Sequence, residues 1–123
     1  MIRPRVLLAD DHQAVLDRVS QHLAGEFEII ATAVDGQAAF DATVALKPDA
    51  VVLDISMPLM SGLEVAKRLS ALPNPPRIVF LTVHDDRDFM DAAEGAGALG
   101  YVLKSNLLTH LVGALRHALA KPS

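Results

Sequence analysis

Short runs rich in branched apolar residues recur along this chain, and each stops at a polar residue or a turn. They are Arg5–Ala9, Phe27–Val34, Ala50–Leu53, Arg77–Leu81 and Leu99–Leu103. Runs that stay apolar at successive positions, such as Val6-Leu7-Leu8-Ala9 and Val51-Val52-Leu53, describe strands buried on both faces. Between the runs the spacing becomes helical, with Val15, Val19 and Leu23 on one face and Arg18, Gln21 and His22 away from it. Leu63, Val65, Ala66 and Leu69 repeat the pattern, and Leu107, Leu108, Leu111, Val112, Leu115 and Leu119 end it. Gly25, the Asp35-Gly36 turn, Lys47-Pro48-Asp49 and Pro73-Asn74-Pro75-Pro76 punctuate the segments. Strands and helices alternating through short connections give an α/β fold. Right-handed crossovers make its sheet parallel and put helices on both faces.

The chain has 123 residues, half of them apolar, which suits one domain spanning its whole length. The apolar runs are too short to span a membrane and the N-terminus lacks a signal pattern, so a soluble, cytoplasmic protein without membrane contact is expected. The absence of cysteine removes disulfide and thiolate chemistry. A formal charge of −4 without a basic cluster argues against a direct grip on a phosphate backbone, so DNA would be reached only through a separate segment.

The polar residues that end the runs carry the functional signal. Asp10 and Asp11 follow the first run, Asp54 the third, Thr82 the fourth and Lys104 the fifth. In a parallel sheet these positions share the carboxyl edge, where the loops leave a crevice. Asp10 or Asp11 alone reads equally well as a helix cap. Together with Asp54 they form an acid group that would repel itself unless a cation neutralised it. A hard divalent ion with oxygen ligands fits, Mg²⁺ best. A lysine and a hydroxyl beside it complement the oxygens of a transferring phosphoryl group, which leaves Asp54 as the nucleophile.

In this arrangement the sequence resembles the receiver domain of two-component response regulators over nearly its whole length. The resemblance rests on Asp10-Asp11, on Leu-Asp-Ile-Ser-Met-Pro-Leu-Met-Ser-Gly around Asp54, on Leu-Thr at the fourth strand and on Gly-Tyr-Val-Leu-Lys at the fifth. It implies a flavodoxin-like (βα)5 fold with strand order 2-1-3-4-5. It further implies that Asp54 accepts a phosphoryl group from a sensor histidine kinase or a phosphotransfer protein. Asp10, Asp11, Asp54 and the backbone carbonyl of Ser56 would hold Mg²⁺, with Lys104 pairing with the phosphate and Thr82 hydrogen-bonding it. Thr82 and Tyr101 would then act as the switch that alters the surface of helix four, strand five and helix five, with homodimer formation on phosphorylation. Val83 and His84, with Ser56, occupy positions at the entrance of the site. Val83 is bulkier than the alanine or glycine common there, while His84 and Ser56 would tune acyl-phosphate hydrolysis. Asp11-His12 and Leu-Thr-Val-His-Asp-Asp resemble receivers joined to LuxR-type helix-turn-helix domains, so the expected output is transcription.

Other readings are weaker. Gly95-Ala96-Gly97-Ala98-Leu99-Gly100 spells a dinucleotide fingerprint but ends a helix and enters a strand, the reverse of what a pyrophosphate requires, so a helix end and turn is expected. Asp85, Asp86 and Asp88 load the first turn of the fourth helix and, with Asp91 and Glu94, read as a solvated acidic face. His110 and His117 form no close ligand pair. A dehalogenase-like phosphatase would want a second aspartate where Ser56 stands, and a flavodoxin would want a phosphate cradle where Asp10-Asp11 would repel it. A receiver-like interaction module that works without phosphorylation is the remaining alternative.

Overall fold

The computed structural model describes residues 2–122. Its elements are β1 (Arg5–Ala9), α1 (Gln13–Leu23), β2 (Glu28–Ala33), α2 (Gly36–Leu46), β3 (Ala50–Leu53), α3 (Gly62–Ser70), β4 (Arg77–Thr82), α4 (Arg87–Gly95), β5 (Gly100–Leu103) and α5 (Leu107–Ala120). All neighbouring strands are parallel, in the order β2-β1-β3-β4-β5. This is the expected flavodoxin-like arrangement.

Alternation along each strand divides the core in two. Val6 and Leu8 of β1, Val52 of β3 and Val79 and Leu81 of β4 pack on one face with Leu16, Val19 and Leu23 of α1 and Leu111 and Leu115 of α5. Leu7, Val51, Leu53, Ile78 and Phe80 point the other way, onto Ala39 of α2, Val65 and Leu69 of α3 and Ala93 of α4. Both faces of the central strands are therefore dry, which is why those strands read as continuous apolar runs rather than alternating ones.

Several boundaries differ from the sequence reading. Asp35 is the N-cap of α2 rather than part of a turn before it; its carboxylate accepts the Ala38 amide at 2.7 Å. Asp85 and Asp86 precede α4, leaving Asp88 as the only acid in its first turn. Leu108 is 59% exposed, because one residue of helical rotation carries it off the face that Leu107, Leu111 and Leu115 bury. The Gly-x-Gly-x-x-Gly stretch ends α4 and enters β5 as expected, with Gly97 at a φ of 98° making the turn.

The loop between β3 and α3 is held shut by a close approach. Gly62 donates its amide to the Ile55 carbonyl at 2.7 Å, and a Cβ at Gly62 would lie 2.0 Å from the Asp54 carbonyl oxygen. No side chain fits there without moving the backbone that carries Asp54. Gly62→Ala is therefore expected to destabilise the fold by about 2 kcal/mol or more. Gly95→Ala, with nothing within 4 Å of the new methyl, should be neutral or stabilising. Thermal denaturation of the two variants checks the contrast.

Candidate functional site

The acids reach the carboxyl edge because backbone pairing continues one residue beyond the strands. The Asp10 amide donates to the Ala33 carbonyl and the Asp54 amide to the Ala9 carbonyl, each at 3.0 Å. Asp10 and Asp54 are thereby fixed side by side, 3% and 4% exposed. Lys104, the first residue after β5, reaches across the edge between them. Its Nζ lies 2.7 Å from Asp10 Oδ2 and 3.3 Å from Asp54 Oδ2. Thr82 ends β4, is fully buried, and accepts the His84 amide on Oγ1 at 3.3 Å. Asp11 stands at the rim with its side chain about a third exposed.

All five expected strand-end residues thus meet at one edge, and the sequence reading missed a sixth. His12 Nδ1 lies 3.2 Å from Asp10 Oδ1 and 3.1 Å from Asp11 Oδ1. Its backbone amide donates to the same Asp10 oxygen at 2.9 Å. Ligand atoms of Asp10, Asp11, His12 and Asp54 lie within 4.8 Å of one another. The only sign of His12 in the sequence is its place directly after the acid pair.

Three carboxylates face one ammonium here, and two of the three are buried. Burial raises the Asp54 carboxyl above its ordinary range and the Asp10 charge adds to the rise, while Lys104 and the Ile55 amide pull against it. Burial alone would lower Lys104, but its hydrogen bond to Asp10 and the charges of Asp54 and Asp10 outweigh that and hold it above the usual lysine value. Lys104 therefore stays charged. An oxygen-rich, over-acidic cluster of this kind fits a hard divalent cation, whose charge would cancel the excess.

Beside the acids lies a second constellation. Ser56, two residues beyond Asp54, contacts His84 Nε2 through its hydroxyl at 2.9 Å. The His84 ring stacks on Phe89 with centroids 4.2 Å apart and planes 22° apart. The Tyr101 hydroxyl donates to the His84 carbonyl at 2.6 Å, and its half-buried ring packs near Phe80. Val83 projects outward at the rim, 70% exposed. Phe89 also escaped the sequence reading, since nothing in the spacing of α4 marks it as a neighbour of the β4–α4 loop.

A flavodoxin-like sheet thus carries a strand-end acid cluster, a lysine bridging two of its carboxylates and a buried threonine. The family model for the response regulator receiver domain matches residues 6–116, and the chain belongs to that family. Among curated relatives, the transcriptional regulatory protein PdtaR of Mycobacterium tuberculosis is 33% identical over 118 residues, 95% of this chain and 57% of that protein. The chain spans about half the length of the curated relatives it matches. Among solved structures, the signal receiver domain of the response regulator NarL from M. tuberculosis superimposes with a TM-score of 0.92 at 31% identity, covering 98% of this chain and all of that one. A two-component response regulator of the LuxR family from Aurantimonas gives 0.90 at 31% identity, covering 96% of this chain and 86% of that one. These relatives thus include a NarL receiver and a LuxR-family response regulator, the kind of relative that the resemblance implied.

The charge excess has a consequence for stability. The Asp54 carboxyl titrates higher in the fold than in the unfolded chain, so its contribution is fullest below the unfolded value near 4 and is lost as pH rises through the raised folded value. At pH 7 the ionised group opposes folding. Asp54→Asn should therefore raise the melting temperature in metal-free buffer at pH 7. The gain should vanish near pH 3. Added Mg²⁺ should stabilise the natural chain more than the variant, which differential scanning calorimetry at the two pH values would show.

Proposed function

We propose that this domain is a phosphorylation-controlled signalling switch in which Asp54 accepts a phosphoryl group from the phosphohistidine of a sensor histidine kinase or phosphotransfer protein. The observation that carries this reading is the Lys104 ammonium spanning Asp10 and Asp54 at a strand edge that also buries Thr82. A carboxylate oxygen of Asp54 bonds to phosphorus, the phosphorus–nitrogen bond of the donor breaks, and the imidazole leaves. Lys104, already within 3.3 Å of Asp54, pairs with the incoming phosphoryl oxygens, and the Thr82 hydroxyl turns from the His84 amide to donate to another.

Asp10, Asp11, Asp54 and the backbone carbonyl of Ser56 would hold Mg²⁺, which when bound offsets the charge on the transferring oxygens. A group of charge near −2 gives Lys104 and Thr82 something to approach, and their movement biases the β4–α4 loop that Tyr101 holds through the His84 carbonyl. The surface made by α4, β5 and α5 would change in consequence and favour a homodimer. The output would be transcription, with DNA bound by a separate domain.

Incubation with acetyl phosphate and Mg²⁺ is expected to add one phosphoryl mass to the intact protein, and omission of Mg²⁺ or the Asp54→Asn substitution to abolish it. No adduct, together with no response to beryllofluoride, would point to the module that works without phosphorylation. His84, joined to Ser56 across the mouth of the site, is expected to slow hydrolysis. His84→Ala should shorten the lifetime of the phosphorylated protein several-fold, the effect of losing a hydrogen bond worth about 1 kcal/mol. Decay of the adduct after removal of donor measures it.

A further inference from the structure

We propose that Phe89 of α4 is a positioning residue for the phosphorylation site: by stacking on His84 it holds the imidazole across the mouth above Asp54 and so lengthens the life of the acyl phosphate. This inference rests on the proposed phosphorylation of Asp54.

β3 and β4 are paired neighbours in the sheet. Asp54 and Thr82 stand at their carboxyl ends, and Ser56 and His84 each lie two residues farther on, on opposite sides of the opening between the two loops. The contact between Ser56 Oγ and His84 Nε2 at 2.9 Å ties these sides together. A single exposed hydrogen bond between a serine and a histidine would exchange freely with water. Here the ring has a second restraint, because Phe89 lies against it with centroids 4.2 Å apart and nearly parallel planes. A third restraint acts on the backbone of the same residue, through the Tyr101 hydroxyl and the His84 carbonyl. Phe89 is itself anchored, with its half-buried side chain packed against the core cluster under α4.

Hydrolysis requires a water oxygen to bond to phosphorus on the side away from Asp54 as the phosphorus–Oδ bond breaks. The carboxylate leaves, and the proton from water passes to the inorganic phosphate. In this proposal the water enters between the two loops that the Ser56–His84 contact joins. Phe89 touches none of the reacting atoms and acts only by keeping the ring in place. The position of α4 and the lifetime of the phosphoryl group are thereby linked.

The test compares the decay of phosphorylated natural chain, Phe89→Ala, Phe89→Leu, Phe89→Tyr, His84→Ala and His84→Ala/Phe89→Ala, each loaded with acetyl phosphate and freed of donor. Phe89→Leu keeps an apolar side chain in place should the alanine variant fold poorly. Phe89→Ala and Phe89→Leu are expected to decay about 2- to 5-fold faster, no faster than His84→Ala, within what loss of one aromatic pair implies, and Phe89→Tyr at the natural rate. The double variant should decay no faster than His84→Ala, because with the imidazole gone Phe89 has nothing left to position. Natural decay rates in both Phe89→Ala and Phe89→Leu, or additive effects in the double variant, would overturn the inference while leaving phosphorylation of Asp54 intact. Absence of any adduct on the natural chain would overturn the proposed function and this inference with it.

Discussion

The Lys104 ammonium, lodged between the carboxylates of Asp10 and Asp54, is the interaction on which the rest of the site depends. Two buried carboxylates on adjacent strands would otherwise face each other in a poorly solvated crevice, at a cost in both desolvation and repulsion. One ammonium compensates the pair only partly, and Asp11 adds a third acid at the rim. The edge is left with a standing demand for positive charge. A divalent cation would answer that demand, and in the proposed function a phosphoryl group brought in beside it would give Lys104 a new partner. In that proposal, the same charge excess that opposes folding through Asp54 also makes the site receptive.

The scaffold serves this arrangement through parallel pairing. Because β1 and β3 are hydrogen-bonded neighbours and their ladder extends one residue farther, Asp10 and Asp54 end at the same level without help from side chains. Lys104 comes from the far edge strand, and its long stem bridges the width of β4. Gly62 folds the loop back against the Asp54 carbonyl, so the acid is held from both directions along the chain. On the neighbouring loop, His84 gathers contacts from Thr82, Ser56, Tyr101 and Phe89, which lie on four different parts of the sequence. A loop restrained from so many sides has few alternative positions, which suits a two-state element better than a freely mobile one.

Much of this was legible in the sequence. Runs apolar at every position announce strands covered on both faces, and β1, β3 and β4 fall where those runs fall. The polar residues that stop them share an edge by topology alone, so Asp10, Asp11, Asp54, Thr82 and Lys104 could be grouped without coordinates. Contacts set by side-chain direction could not. Nothing in the chain says that Phe89 lies against His84, or that the Tyr101 hydroxyl reaches the His84 carbonyl. Spacing likewise failed where one residue decides between helix and loop: Asp86 is the N-cap of α4 yet makes no side-chain capping bond, so its acidity carries no information about where the helix starts.

The most direct measurement is an amide-resolved NMR titration of the protein with beryllofluoride in the presence of Mg²⁺. If the strand-end cluster is a phosphoacceptor site governed by Lys104, the amides of Asp10, Asp54, Thr82, His84 and Lys104 should shift together, followed by Tyr101 and α4, while residues at the opposite edge of the sheet stay still. Shifts confined to other parts of the surface, or none at saturating beryllofluoride, would contradict it.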